Sequence, residues 1–163
     1  MSRQSSKTGL LKEPADLAEE VVRNVTATGT TINLTPEDHA GRVYVLDTIL
    51  TVSTVDIKLP AALGTGNKYT LVNNAVQTFG FIVSLQVATD YMTGVAVMLE
   101  QVGGTDDVVF YTTATSDKVT FNATTTGGLR GDKIEAIDYR PGYYLVNVTA
   151  FPSGDVITPF SAT

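Results

Sequence analysis

The sequence predicts an all-β fold: a single β-sandwich or jelly-roll-like domain of about ten short antiparallel strands, preceded by an N-terminal arm with a short helix. Three observations lead there. The 163 residues include 25 Thr and 20 Val, and β-branched side chains suit a pleated, half-buried surface. From residue 21 onward apolar and polar residues alternate with a period of two, the mark of strands with one face in a core. Gly, Asn, Asp and Pro clusters punctuate the chain at strand-length intervals. The length suits one domain with one real core, here assigned to residues 23–163, with residues 1–22 as the arm.

Within the arm, residues 1–12 carry Arg3, Lys7 and Lys12 and no acid, a charge of +3. Residues 13–20 carry Glu13, Asp16, Glu19 and Glu20 and no base, a charge of −4. The remainder holds −5, which makes the formal total −6. Residues 14–22 read as a short helix. Pro14 suits a first helical turn, the acids complement the N-terminal end, and Leu17, Val21 and Val22 share a face.

The clearest alternating strands are residues 42–47, 55–59, 118–122 and 144–149. Further strands are expected at 25–28, 31–34, 69–72, 79–85, 95–99, 107–111 and 134–139. The turns between them are Leu63-Gly64-Thr65-Gly66-Asn67, Gly103-Gly104-Thr105-Asp106, Thr126-Gly127-Gly128, Arg140-Pro141-Gly142 and Pro152-Ser153-Gly154-Asp155. No internal repeat stands out. Tyr143 and Tyr144 point to opposite faces of their strand, so one belongs to the core and the other to the surface.

The composition excludes several function classes. With no Cys there is no disulfide, thiolate nucleophile or Cys-bearing zinc site, and one His leaves no His-pair metal site. A charge of −6 argues against binding a phosphate backbone, so no nucleic-acid partner is expected. No apolar run is long enough for a membrane helix, and residues 1–11 lack the apolar segment of a signal peptide. The Asn-x-Thr triplets at Asn24, Asn33, Asn122 and Asn147 follow from the abundance of Thr.

Motifs for chemistry are weak. His39, in Thr35-Pro36-Glu37-Asp38-His39-Ala40-Gly41, reads as a turn residue that packs against or caps its loop, and no nucleophile-elbow motif accompanies it. Asp106-Asp107 beside Gly103-Gly104 reads as a turn and lacks calcium-loop spacing. Arg130-Gly131-Asp132 is the tripeptide of cell-adhesion ligands, yet Gly128 and Gly131 read better as backbone requirements of a tight connection. No catalytic residue, metal site or cofactor is expected, and the chain is not read as an enzyme.

Several segments together resemble a family of small proteins encoded among the structural genes of tailed bacteriophages. They are Ile32-Asn33-Leu34-Thr35-Pro36-Glu37-Asp38-His39-Ala40-Gly41-Arg42, Ile57-Lys58-Leu59-Pro60-Ala61-Ala62-Leu63-Gly64-Thr65-Gly66 and Met92-Thr93-Gly94-Val95-Ala96-Val97. With them go residues 116–128, from Ser116-Asp117 to Gly127-Gly128, then Gly131-Asp132 and the tail Thr158-Pro159-Phe160-Ser161-Ala162-Thr163. The run Thr125-Thr126-Gly127-Gly128, with Gly131-Asp132, and the Thr-Pro-Phe-Ser-Ala end are the most specific parts. The resemblance spans roughly residues 30–163 and leaves residues 1–25 outside.

The resemblance implies a capsid decoration, or cement, protein on the outer surface of the virion. Its partner would be the major capsid protein, whose shell it would stabilise against the pressure of packaged DNA. It implies no catalytic residues. On charge and terminal position, Arg3, Lys7 and Lys12 are expected to touch the capsid, with Leu17 and Val21 of the short helix as a hinge or clamp. Pro159 and Phe160 are expected to pack on a neighbouring subunit. A homo-oligomer is expected, with a trimer favoured by three-fold capsid positions and a dimer as the alternative. The alternative function is an adhesion or carbohydrate-binding module on the head or tail, with Tyr91, Tyr111 or Tyr143 lining a sugar patch.

Overall fold

The computed structural model describes residues 22–25, 31–47, 54–99 and 107–162. The arm residues Arg3, Lys7, Lys12, Leu17 and Val21, and nearly all of the expected short helix, lie outside the described residues. Val22, expected to close that helix, instead opens the first strand.

Twelve strands and one helical turn are described. They are β1 (Val22–Val25), β2 (Thr31–Asn33), α1 (Pro36–His39), β3 (Val43–Leu46), β4 (Val55–Leu59), β5 (Lys68–Asn73) and β6 (Phe81–Leu85), followed by β7 (Tyr91–Met98), β8 (Val108–Tyr111), β9 (Lys118–Phe121), β10 (Lys133–Arg140), β11 (Tyr143–Ala150) and β12 (Phe160–Ser161). They form two packed, mixed sheets. The larger has the order β1-β3-β5-β10-β11-β7-β8, and the smaller β12-β9-β6-β4-β2.

The expectation of antiparallel strands is corrected. β1, β3 and β5 run parallel in the larger sheet, and β2, β4 and β6 run parallel in the smaller. Successive strands alternate between the sheets, so the chain winds around the core in three turns before the antiparallel pairings begin. An antiparallel jelly roll does not do this. The register steps from Val22 to Val43 to Thr70 on one side and from Thr31 to Asp56 to Ile82 on the other. The turns differ in length, which hides the repeat from a sequence comparison at fixed period. Its trace is a pair of inward ladders. Ile32, Ile57 and Val83 stack in register, and Leu59 pairs with Leu85 while Leu34 donates its N–H to the Lys58 carbonyl at 2.9 Å.

The later strands complete both sheets. β10 and β11 form an antiparallel hairpin between β5 and β7, and β11 runs parallel to β7. β9 pairs antiparallel with β6, and β12 with β9. Side chains alternate as the period of two requires: β4, β10 and β11 bury every second residue. Tyr144 is in the core and its neighbour Tyr143 is only half-buried, as expected. The core joins Ile57, Leu59, Val83, Val119 and Phe121 of the smaller sheet to Tyr69, Leu71, Ile134, Ala136, Met92 and Val146 of the larger. Burial of this apolar surface is the main force holding the two sheets together. Gly94 lies where β7 crosses Val146 of β11, and a Cβ there would sit 1.8 Å from the Val146 carbonyl oxygen.

Candidate interaction surface

At one end of the larger sheet two buried carboxylates pin the loop that joins β4 to β5. Asp138 of β10 is 2% exposed, yet it accepts hydrogen bonds from the backbone N–H of Leu63 (3.2 Å), Gly64 (2.6 Å) and Thr65 (3.0 Å), and from the Thr65 hydroxyl (2.7 Å). Burial raises the cost of its charge, but these four donors outweigh that and hold the carboxyl below the usual carboxylate range. Asp90 accepts from the Ala62 N–H at 2.8 Å, and the Ala62 carbonyl accepts from Gly142 N–H at 2.9 Å. The Tyr144 hydroxyl donates to the Pro60 carbonyl at 3.1 Å. Burial raises the pKa of both phenols beneath this loop, that of Tyr69 to about 12.

The surface built on this anchored end is aromatic and cationic. The Arg140 guanidinium lies 3.7 Å from the centroid of the Tyr143 ring and 5.5 Å from that of Tyr139. Tyr91 and Tyr143 are register partners, with ring centroids 5.8 Å apart. Leu63, 67% exposed, sits on the adjoining loop, bridged to Pro141. A strand exposes alternate residues on one face, so the same outer face continues through Leu145 and Val95 to Val109 and Tyr111 of β8. Tyr and Arg held on an anchored platform are the side chains enriched in protein interfaces. The structure thus brings Tyr91 and Tyr143 together, and places Tyr111 on the same face, in the strand next to β7, opposite Val95. Sequence reasoning passed over Tyr139, Arg140 and Leu145. The signal was present: an Arg-Pro-Gly turn with Tyr on both sides.

The outer face of the smaller sheet offers a different surface. Asp56, Lys58, Ser84, Gln86 and Lys118 line a groove of about 250 Å³. Its charges largely satisfy one another: Ser84 donates to Asp56 at 2.6 Å, and Lys58 lies 3.6 Å from the same carboxylate.

The remaining sequence candidates have local roles. His39 Nδ1 lies 3.0 Å from the Thr35 N–H at the start of α1, and its ring stacks on Tyr44 with centroids 4.8 Å apart, so it caps and packs its turn. In Arg130-Gly131-Asp132 the Asp132 side chain is 1% exposed, and its carboxylate accepts the N–H groups of Gly128, Leu129 and Phe151. That carboxylate is therefore withheld from any adhesion receptor. Burial pushes its pKa up to about 6 despite the three donors. Gly128 has φ +115°, and a Cβ there would meet the Ala123 backbone at 2.4 Å, so the connection does require glycine. Asp107 is exposed, and its neighbour Asp106 lies outside the described residues. Among the described residues no group of three or more His, Cys, Asp or Glu is placed to hold a metal ion.

Pro159 and Phe160 are buried within their own chain. Phe160 opens β12, pairs with Val119 and joins the core. Comparison of the chain with protein-family models, with curated proteins and with solved structures finds no match in any of the three.

Proposed function

We propose that the chain is a phage virion structural protein, a capsid decoration (cement) protein that binds the outer surface of the major capsid protein shell and stiffens it against internal DNA pressure. The observation that carries a binding role is the Tyr91–Tyr139–Arg140–Tyr143 surface, mounted on a loop that Asp138 and Asp90 hold in place. Rigid anchors lose little entropy on docking, and many copies on one shell turn modest contacts into strong attachment. The viral setting comes from the sequence resemblance. In this reading the sandwich-like body supplies rigidity, and the basic arm at Arg3, Lys7 and Lys12 is an electrostatic handle for an acidic capsid exterior, with Leu17 and Val21 beside it. The role is a binding one without catalysis or cofactor, by a homo-oligomer, trimeric or dimeric, on the capsid exterior. Pro159 and Phe160 would help a subunit contact through the shape of the tail, since the Phe160 ring is used inside its own chain.

The test is occupancy on purified capsids lacking the protein. Wild type should decorate the shell, and Arg140→Ala with Tyr143→Ala should lower occupancy at least tenfold with folding intact. Deletion of residues 1–12 should weaken attachment most at low ionic strength, where charges are least screened. Absence of wild-type binding to the shell would overturn the reading. The second reading, a carbohydrate-binding module, is favoured by the paired Tyr91 and Tyr143 rings. Binding to a glycan array, lost in Tyr143→Ala, would select it.

A further inference from the structure

We infer that the chain self-associates by pairing β8 with β8 of a second copy, antiparallel, across a two-fold axis at Phe110. This inference is independent of the capsid reading.

Among the described residues β8 ends the larger sheet, with β7 on one side and no strand on the other. Thr112 donates its N–H to the Gly94 carbonyl of β7 at 3.1 Å. In an antiparallel pair the residues that bond a given neighbour alternate. Phe110 and Val108 therefore direct their N–H and C=O groups toward β7, while Val109 and Tyr111 direct theirs to the open edge. These same two residues carry exposed apolar side chains, Val109 at 47% and Tyr111 at 72%. Among the described residues, unpaired backbone and uncovered apolar surface thus coincide at two positions.

Sheet edges are ordinarily protected by charge, proline or brevity. β8 has neither a charged residue nor a proline, whereas of the other described edges β1 carries Arg23, and β12 and β2 are only two and three residues long. The occupant that fits is a second β8, because the edge is symmetric about Phe110. With Phe110 opposite its own copy, Val109 falls opposite Tyr111 on both sides. Each such pair exchanges both of its backbone hydrogen bonds, so every edge group of these residues is satisfied. The same register sets a β-branched side chain beside an aromatic one on the outer face, a favourable cross-strand pair. Asp107, the nearest charge, falls opposite Thr113, so the two copies bring no like charges together. The larger sheets of two copies then run on as one, and their outer faces, with Tyr91, Arg140 and Tyr143, form a single broad surface. Pairing of this kind is isologous and closes at two copies.

Sedimentation equilibrium on the full chain at about 50 µM, a concentration suited to micromolar association, tests the inference. Wild type should show twice the 17.3 kDa monomer mass. Val109→Pro removes an edge-facing N–H without breaking a bond to β7 and should sediment as a monomer, while Val109→Thr keeps that N–H and should remain a dimer. Tyr111→Lys, which leaves the backbone intact, should also give the monomer and serves if the proline variant does not fold. Since the chain has no Cys, Phe110→Cys should cross-link to its own copy under mild oxidation. A monomeric or trimeric wild type, or a dimer that survives both Val109→Pro and Tyr111→Lys, would overturn the inference. So would a monomer that dimerises only when residues 1–21 are deleted, since this chain's own N-terminal segment would then be the occupant of the edge.

Discussion

Replacing Asp138 with Ala should be among the most damaging single changes in the protein. The substitution removes an acceptor that serves three backbone N–H groups and one hydroxyl at 2.6–3.2 Å. A hydrogen bond to a charged group contributes about 1.5–3 kcal/mol. The loop is partly open to solvent, so some of the freed donors regain water, and a total of about 3–5 kcal/mol is expected. For a chain of this length that lowers the melting temperature by roughly 6–20 °C. Asp138→Asn keeps the shape but turns an NH₂ group toward N–H donors, and should recover less than half of the loss. The pH dependence follows from the lowered pKa of the folded carboxyl. A carboxyl with a depressed folded pKa stabilises above its unfolded value, about 3.9, and the stabilisation is lost as pH falls through the folded value. The gap between wild type and Asp138→Ala should therefore be constant from about pH 5 to 8 and shrink below about pH 4. Thermal melts followed by circular dichroism read both quantities. A melting temperature within about 2 °C of wild type at pH 7 would refute the reasoning, and so would a gap that persists undiminished at pH 2.

Asp132 should behave in the opposite sense. Its folded pKa, about 6, lies above the unfolded value, so the folded chain binds more protons between about pH 4 and 6. The contribution of Asp132 to stability should be greatest below that window and fall by up to about 3 kcal/mol as pH rises through it. The urea midpoint of wild type relative to Asp132→Asn, measured at pH 4.5 and 7, checks this, and a pH-independent difference would contradict it. Gly94→Ala should cost more than about 3 kcal/mol, because its Cβ would collide with the Val146 carbonyl and separate two central strands. Soluble yield and melting temperature report it, and a wild-type melt would exclude the close approach.

Much of the strand pattern was legible in the chain. The alternation in residues 55–59 and 118–122 marks β4 and β9 closely, since each strand buries one face against the opposite sheet. β7 begins earlier than expected, at Tyr91, because its first turn is held by backbone bonds to Gly142 and Ser116 rather than by its own pattern. β12 was not anticipated. Two residues have no period, and Phe160 is fixed by pairing with β9. The candidate surface was half visible. Tyr91 and Tyr143 stood out as aromatics, but nothing local says that β11 runs beside β7 and sets the two rings together. The loop anchor was invisible, because Asp138 lies far along the chain from the Leu63–Thr65 amides it holds.

By itself the sequence determined the β class of the fold, the places of most strands and the absence of thiol chemistry. These follow from composition and from a period of two, and both are local properties. Only the tertiary structure decided that half the pairings are parallel, that the chain winds between two sheets before closing them, and that Asp132 is buried while Tyr111 is not. Pairing direction and burial depend on which distant segments meet, and a strand's alternation is the same whether its neighbour runs up or down.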